Sequence, residues 1–417
     1  NSMIISNRGP RDPGTYYLLN NRSLSVVGSS KPQFSSEKYT NVIEAISNDF
    51  DYKPTFRIAE SPFFISKDLK SQLLEGCQQV IDFIKKEDFK QITNKALELN
   101  RKVPNEDEHT TFLAIDFGIC EENGKIIPKL IEVQGFPSLF NFQPNLFNKF
   151  KNEYPFISEL TPFLNGLNQE EYNLLIEEVI CNNLPKENVI LLEIEPEKQN
   201  TKIDFYYCNK DIGIPIICVT ELFQVGKKLY YTNQNNKKVE VKRIYNRVIF
   251  DELDLRTDLK LNFDFSSDID VEWAGHPNWF FRISKFILPY LKGDYFIETT
   301  LLSELKEIPK DLENYVLKPL FSFSGSGVIF HVKPEDIKAV KEKDLYILQK
   351  KVNYIPIVES FDGKVKAEVR ILAVWKKGDE SPILVNNLVR LSRGEMIGVK
   401  FNKDKDWVGG TIGLFEN

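Results

Sequence analysis

Histidine and cysteine are scarce in this chain, 3 and 5 of 417 residues, and neither falls into a spacing that carries metal or redox chemistry. His109, His276 and His331 lie too far apart to form a zinc-ligand motif and are expected to be structural. Cys77, Cys120, Cys181, Cys208 and Cys218 are odd in number and include no C-x-x-C pair, which argues against a zinc ribbon, a redox dithiol or a disulfide framework and suits a reducing, cytoplasmic setting. There is no G-x-S-x-G element and no convincing Cys/His nucleophile pair, so covalent hydrolase chemistry is not expected. No apolar run reaches membrane-spanning length, and residues 1–14 lack both a signal core and an Arg-rich transit pattern, so no membrane partner is expected. The formal net charge is -6 with both signs interspersed, the wrong balance for a protein that neutralises nucleic-acid phosphates. Internal repeats and low-complexity tracts are also lacking.

What is present is an ordinary globular composition, 42% hydrophobic, 27% charged and 12% aromatic, able to bury a large core. The length exceeds that of one hydrophobic core, which implies two or three lobes with a cleft between them. Leu69, Leu73, Leu74, Val80 and Ile81 recur at helical spacing and predict a helix over 68–86, with a second over 89–99. Thr111-Phe-Leu-Ala-Ile-Asp-Phe-Gly, a polar turn at Glu122-Asn-Gly-Lys, and Lys129-Leu-Ile-Glu-Val-Gln read as a strand-turn-strand unit. From 187 to 229 an apolar strand, an amphipathic stretch and a second apolar strand form a β-α-β unit, the germ of a small α/β lobe. The fold class is therefore α/β (α+β).

Four stretches could carry chemistry. Tyr315-Val-Leu-Lys-Pro-Leu-Phe-Ser-Phe-Ser-Gly-Ser-Gly-Val-Ile-Phe predicts a strand, a small-residue loop and a second strand. Its glycines let backbone amides converge on an anion, Ser322, Ser324 and Ser326 add hydroxyl donors, and Lys318 adds a point charge. It is not a Walker A loop, because the lysine precedes the glycines and no helix follows. Leu345-Tyr-Ile-Leu-Gln-Lys-Lys-Val reads as an apolar strand that suits a purine hinge, with an edge backbone for the base, and equally as a core strand ending in solvated lysines. Period-two alternation puts Lys366, Glu368 and Arg370 on one strand face, and an antiparallel partner brings Asn387, Arg390 and Arg393 near them; a solvated sheet face has the same pattern. Asp116 and Glu132 lie on neighbouring strands among apolar residues, where a carboxylate needs a partner: a magnesium ion bridging phosphates is one, a salt bridge another.

Together these stretches resemble the ATP-grasp superfamily, and their order resembles its circularly permuted branch, which includes glutathionylspermidine synthase and eukaryotic-type glutathione synthetase. The acidic strands, Ile115-Asp-Phe-Gly and Lys129-Leu-Ile-Glu-Val-Gln-Gly, come first here; Val316-Leu-Lys-Pro with its Ser/Gly loop, Ile347-Leu-Gln-Lys and Glu368-Val-Arg follow much later. The resemblance implies a permuted ATP-grasp fold with a small pre-ATP-grasp lobe, divided as 1–180 with the metal-binding hairpin, 181–270 for the small α/β lobe, and 271–417 for the ATP-binding lobes. It implies magnesium on Asp116 and Glu132, with Gln134 standing where the family usually has Asn. ATP phosphates would meet Lys285, Lys318 and the loop Ser324, Gly325, Ser326 and Gly327; adenine would meet Gln349, Lys350 and Val352, with Glu368 nearby. Arg370 and Arg390 resemble the paired arginines that neutralise an acyl phosphate.

The activity implied is an ATP- and Mg2+-dependent carboxylate–amine ligase: a carboxylate attacks the γ-phosphate, and an amine captures the acyl phosphate as an amide. A kinase on the same fold and a non-catalytic nucleotide-binding module are the alternatives. The partners implied are a small-molecule acid and amine, or a peptide, without nucleic acid or membrane. Arg57 and Arg101 are candidates for a substrate carboxylate; the sequence leaves the substrates and the oligomeric state open.

Overall fold

The computed structural model describes residues 16–17, 19–20, 33–99, 102–322, 326–360, 363–394 and 408–416. Helix Lys67–Ile84 starts at Ser66, whose hydroxyl accepts from Leu69 N, and buries Leu69, Leu73, Cys77, Val80, Ile81 and Ile84 on one stripe. Helix Phe89–Glu98 follows. Helix Ser36–Asn48, capped by Ser35, is not anticipated from the sequence: only Val42 and Ile46 of its residues are buried, too sparse an apolar signal to stand out.

Strands from both ends of the chain build the central sheet. Phe112–Glu122 pairs antiparallel with Lys125–Gln134 on one side and with Gly363–Val374 on the other. Gly363–Val374 also pairs with Ile383–Ser392, which is bordered by Gly409–Thr411. The expected β-α-β unit is present: Val189–Glu193, helix Lys202–Ile212 and Ile216–Cys218 belong to a four-stranded parallel sheet completed by Arg243–Asn246 and Glu272–Ala274. A third sheet holds Thr299–Leu301, Tyr346–Lys350 and Tyr315–Pro319, with Tyr346–Lys350 in the middle.

Two expectations about this third sheet are corrected. The second strand after the Ser/Gly loop does not form; Ile329 makes a lone bridge to Leu317. Pro319 has no N–H to continue the ladder, and Pro334 soon opens a helix, Pro334–Ala339. The strand Tyr346–Lys350 is not an edge: its backbone is paired with Thr299–Leu301 on one side and Tyr315–Pro319 on the other.

Gly409 shows how tightly the border of the central sheet is closed. Its φ is +116°, and a Cβ there would stand 2.3 Å from the Arg57 carbonyl oxygen, which accepts from Gly410 N. Gly409→Ala should therefore lower stability by about 1–3 kcal/mol, the scale of a strained backbone residue, as a drop in denaturation midpoint.

Glu193 ends the first parallel strand, 5% exposed, with its carboxylate accepting from Ile194 N. Burial pushes its carboxyl from 4.5 up to about 8, against the pull of the Ile194 N–H and Arg247. The folded chain thus holds a proton that the unfolded chain releases, so stability falls as pH rises from about 4.5 to about 8. Glu193→Gln should flatten the fall across that window in denaturation curves measured pH by pH.

Candidate functional site: a charged row on the central sheet

Strand register places the acidic and basic residues in one row. Asp116 is opposite Glu132 on one neighbouring strand and opposite Arg370 on the other, while Glu368, two residues before Arg370, is opposite Arg390. All five side chains share a face because side chains alternate along a strand. The opposite face, with Ile115, Phe117, Val369 and Ile371, is fully buried.

Asp116 is completely buried, and guanidinium groups hold both of its oxygens. Arg370 Nε donates to Oδ1 at 2.6 Å and Arg370 Nη2 to Oδ2 at 2.7 Å; Arg390 Nη2 donates to Oδ2 at 2.6 Å. Arg370 Nη1 also reaches Ser138 Oγ at 3.1 Å. Arg390 Nη2 donates in addition to Glu368 Oε1, whose other oxygen accepts from Tyr354 Oη at 3.2 Å. Burial pushes the Glu368 carboxyl upward, with Arg390 opposing. The ring of Tyr354 lies over Gly118, where a Cβ would come within 2.6 Å of it.

Glu132, at the other end of the row, faces the lysines. Lys285 Nζ lies 2.8 Å from Glu132 Oε1 and donates to Ser322 O at 3.0 Å. Burial would raise the Glu132 carboxyl, but Lys285 in contact, with Arg370 and Lys318 behind it, holds it down at about 2. Lys285 opens the 3-10 helix Lys285–Tyr290, and Gly135 N donates to Ile283 O, tying that segment to the end of the acidic hairpin. Lys318 Nζ donates to Gln349 Oε1 at 2.6 Å, and Gln349 Nε2 to Thr299 Oγ1 at 3.0 Å. Desolvation pulls the Lys318 ammonium down to about 8, with Glu132 opposing and the like charge of Lys285 adding.

The sequence-derived residues thus separate into groups. Asp116, Glu132, Lys285, Lys318, Glu368, Arg370 and Arg390 form one electrostatic neighbourhood. Gln349 joins it through Lys318. Lys350 turns outward to Glu298, its Nζ 2.7 Å from Oε2, and Val352 follows the strand, partly buried. Ser326 and Gly327 are exposed; Ser324 and Gly325 lie outside the described residues, as does Arg101. Arg57 is bound to Glu60 and to Val408 O. His276 is pinned to Pro104 O at 2.8 Å and His109 stacks on Trp375 at 4.0 Å. Ser138, Thr299 and Tyr354 belong to no motif that the sequence displays. A 480 Å³ cavity at Asn141, Glu170, Asn173 and Asp211 shares no lining residue with the row.

The magnesium assignment does not fit this arrangement. An octahedral Mg2+ needs carboxylate oxygens pointing at it at about 2.0–2.1 Å, but both oxygens of Asp116 already accept from guanidinium groups and one oxygen of Glu132 takes Lys285. Gln134 stands at the strand end opposite Ala114. Among the described residues no three His, Cys, Asp or Glu side chains group to hold a metal. Nor is any described helix long and apolar enough to cross a membrane.

No family model and no curated protein matches the chain. Among solved structures it is similar to a glutathione synthetase-like effector from Globodera pallida in its apo form, at 11% identity, covering 91% of this chain and 96% of that one with a TM-score of 0.54. A protein from Methylobacillus flagellatus, named provisionally as a gamma-glutamylcysteine synthetase, matches at 12% identity over 82% of this chain and 87% of that one, with a TM-score of 0.37, too low to carry an argument. The first likeness is one of fold alone: the mixed α/β architecture is similar to that of the glutathione synthetase-like effector.

Proposed function

We propose that the chain is a permuted ATP-grasp protein that binds ATP beside the charged row and uses it as a carboxylate–amine ligase. One observation carries this reading: Lys285 pairs with Glu132, Lys318 from a separate strand lies within electrostatic reach of the same carboxylate, and Lys318 forms no ion pair among the described residues. Two lysines so placed suit the phosphates of a nucleotide. Because the backbone within Tyr346–Lys350 is paired on both sides, and the Lys350 and Lys351 N–H groups donate to Glu298 O and Asn314 O, the purine would meet the chain beyond this strand, at Val352, rather than its middle.

A substrate carboxylate would attack the γ-phosphorus, expelling ADP and leaving an acyl phosphate. An amine then attacks the carbonyl carbon, phosphate departs and the amide forms. Lys285 and Lys318 would hold the phosphates in line. Arg390, whose Nε is buried without a partner among the described residues, has a donor left for the acyl phosphate. The test is ADP release with pools of amino acids, peptides and polyamines, with and without Mg2+. Release that requires both an acid and an amine, and is lost in Lys318→Ala, supports the ligase; a stable phosphorylated product points to a kinase.

A specific observation favours a second reading, a nucleotide-binding module without turnover. The Asp116 carboxylate is closed by Arg370 and Arg390. ATP binding with no ADP under any of these mixtures would support the module over the ligase.

A further inference from the structure

We infer that the charged row takes a polyphosphate without a divalent cation, because Arg370 and Arg390 occupy Asp116 and Lys285 meets Glu132, the two carboxylates that a metal would use. The inference rests on the nucleotide reading above, not on the ligase step.

The row and its surroundings hold three carboxylates, Asp116, Glu132 and Glu368, and four cations, Lys285, Lys318, Arg370 and Arg390. Asp116 accepts through both oxygens from arginine, and Glu368 accepts from Arg390 and Tyr354. A guanidinium is always charged, and its planar fork matches a carboxylate bidentately, so Arg370 does not yield Asp116 by losing its proton. Arg370 is fixed a second time by Ser138 Oγ. For Mg2+ to reach Asp116, two arginines would have to withdraw from a fully buried carboxylate.

Donors, by contrast, are left over. Among the described residues, Arg390 Nε and Ser322 Oγ are buried without a hydrogen-bond partner, and Lys318 Nζ donates only to the neutral amide of Gln349. Buried polar groups without partners call for one. Two unanswered polar groups, together with a lysine that has no counter-ion among the described residues, suit an acceptor-rich anion, and a polyphosphate chain is one. Magnesium on that chain would offset part of the charge these donors recognise.

Isothermal titration of the full chain with ATP, once in EDTA and once in excess Mg2+, tests this. Expected is binding in EDTA with an affinity equal to or higher than in Mg2+; inorganic triphosphate in EDTA should bind too, and Lys318→Ala should weaken both ligands by about tenfold or more. An affinity for ATP about tenfold or more higher with Mg2+ overturns the inference while upholding the nucleotide site. Absence of binding in both buffers overturns the nucleotide reading, and the inference with it.

Discussion

Asp116→Ala should destabilise the protein by about 3–5 kcal/mol, the cost of removing one partner from a buried ion pair. The cost falls mainly on Arg370. With Asp116 gone, Arg390 still has Glu368 in contact, whereas the 11%-exposed Arg370 side chain keeps, among the described residues, one hydrogen bond to the neutral hydroxyl of Ser138 and the longer-range attraction of Glu132 and Glu368. Denaturant titration should show the midpoint falling at an unchanged slope. Asp116→Asn, which retains an acceptor, should cost less. Arg370→Met combined with Asp116→Ala should recover part of the loss, because a buried pair replaced by apolar side chains is often close to neutral. A double variant as unstable as the single one would show that Arg370 does not carry the penalty.

Lys318→Ala should weaken ATP binding by roughly 10–150-fold, the value of hydrogen bonds to a charged group. Wild-type affinity should also fall as pH rises through about 8, where the Lys318 ammonium loses its proton, and the variant should lack that step. Bound phosphate favours the ammonium, so the midpoint in the complex lies higher than in the free protein. Folding stability moves the opposite way. The folded-state value of about 8 lies below the ordinary 10.5, so burying the ammonium opposes folding below about 8, and this penalty fades as pH climbs towards 10.5. Opposite pH trends for binding and stability would distinguish Lys318 from a group whose loss simply unfolds the protein.

The sequence was most readable where the information is local. Period-two alternation puts Glu368 and Arg370 on one face, as the strand register does, and the apolar flanks of Asp116 and Glu132 mark them as carboxylates needing partners, which they have in Arg370, Arg390 and Lys285. Which partner was not readable. Asp116 and Arg370 are 254 positions apart, and nothing near Asp116 says whether a metal or an arginine answers it. Tyr346–Lys350 was recognisable as a strand from its apolar run, but its central place depends on Thr299–Leu301 and Tyr315–Pro319 docking on either side. Tyr354 reaches Glu368 from a segment without regular structure, where no periodicity marks a contact.

The pairing of Phe112–Glu122 with Gly363–Val374 also bears on how the chain folds. A nascent chain that has emerged through the small parallel-sheet lobe can complete that lobe, yet one flank of Phe112–Glu122 must wait until Gly363–Val374 is synthesised. Such distant pairing slows folding and leaves an unpaired edge of a strongly apolar strand exposed meanwhile, open to pairing with a second nascent chain. Fragments ending before Gly363 should therefore aggregate on expression, and the C-terminal strands supplied in trans should rescue them.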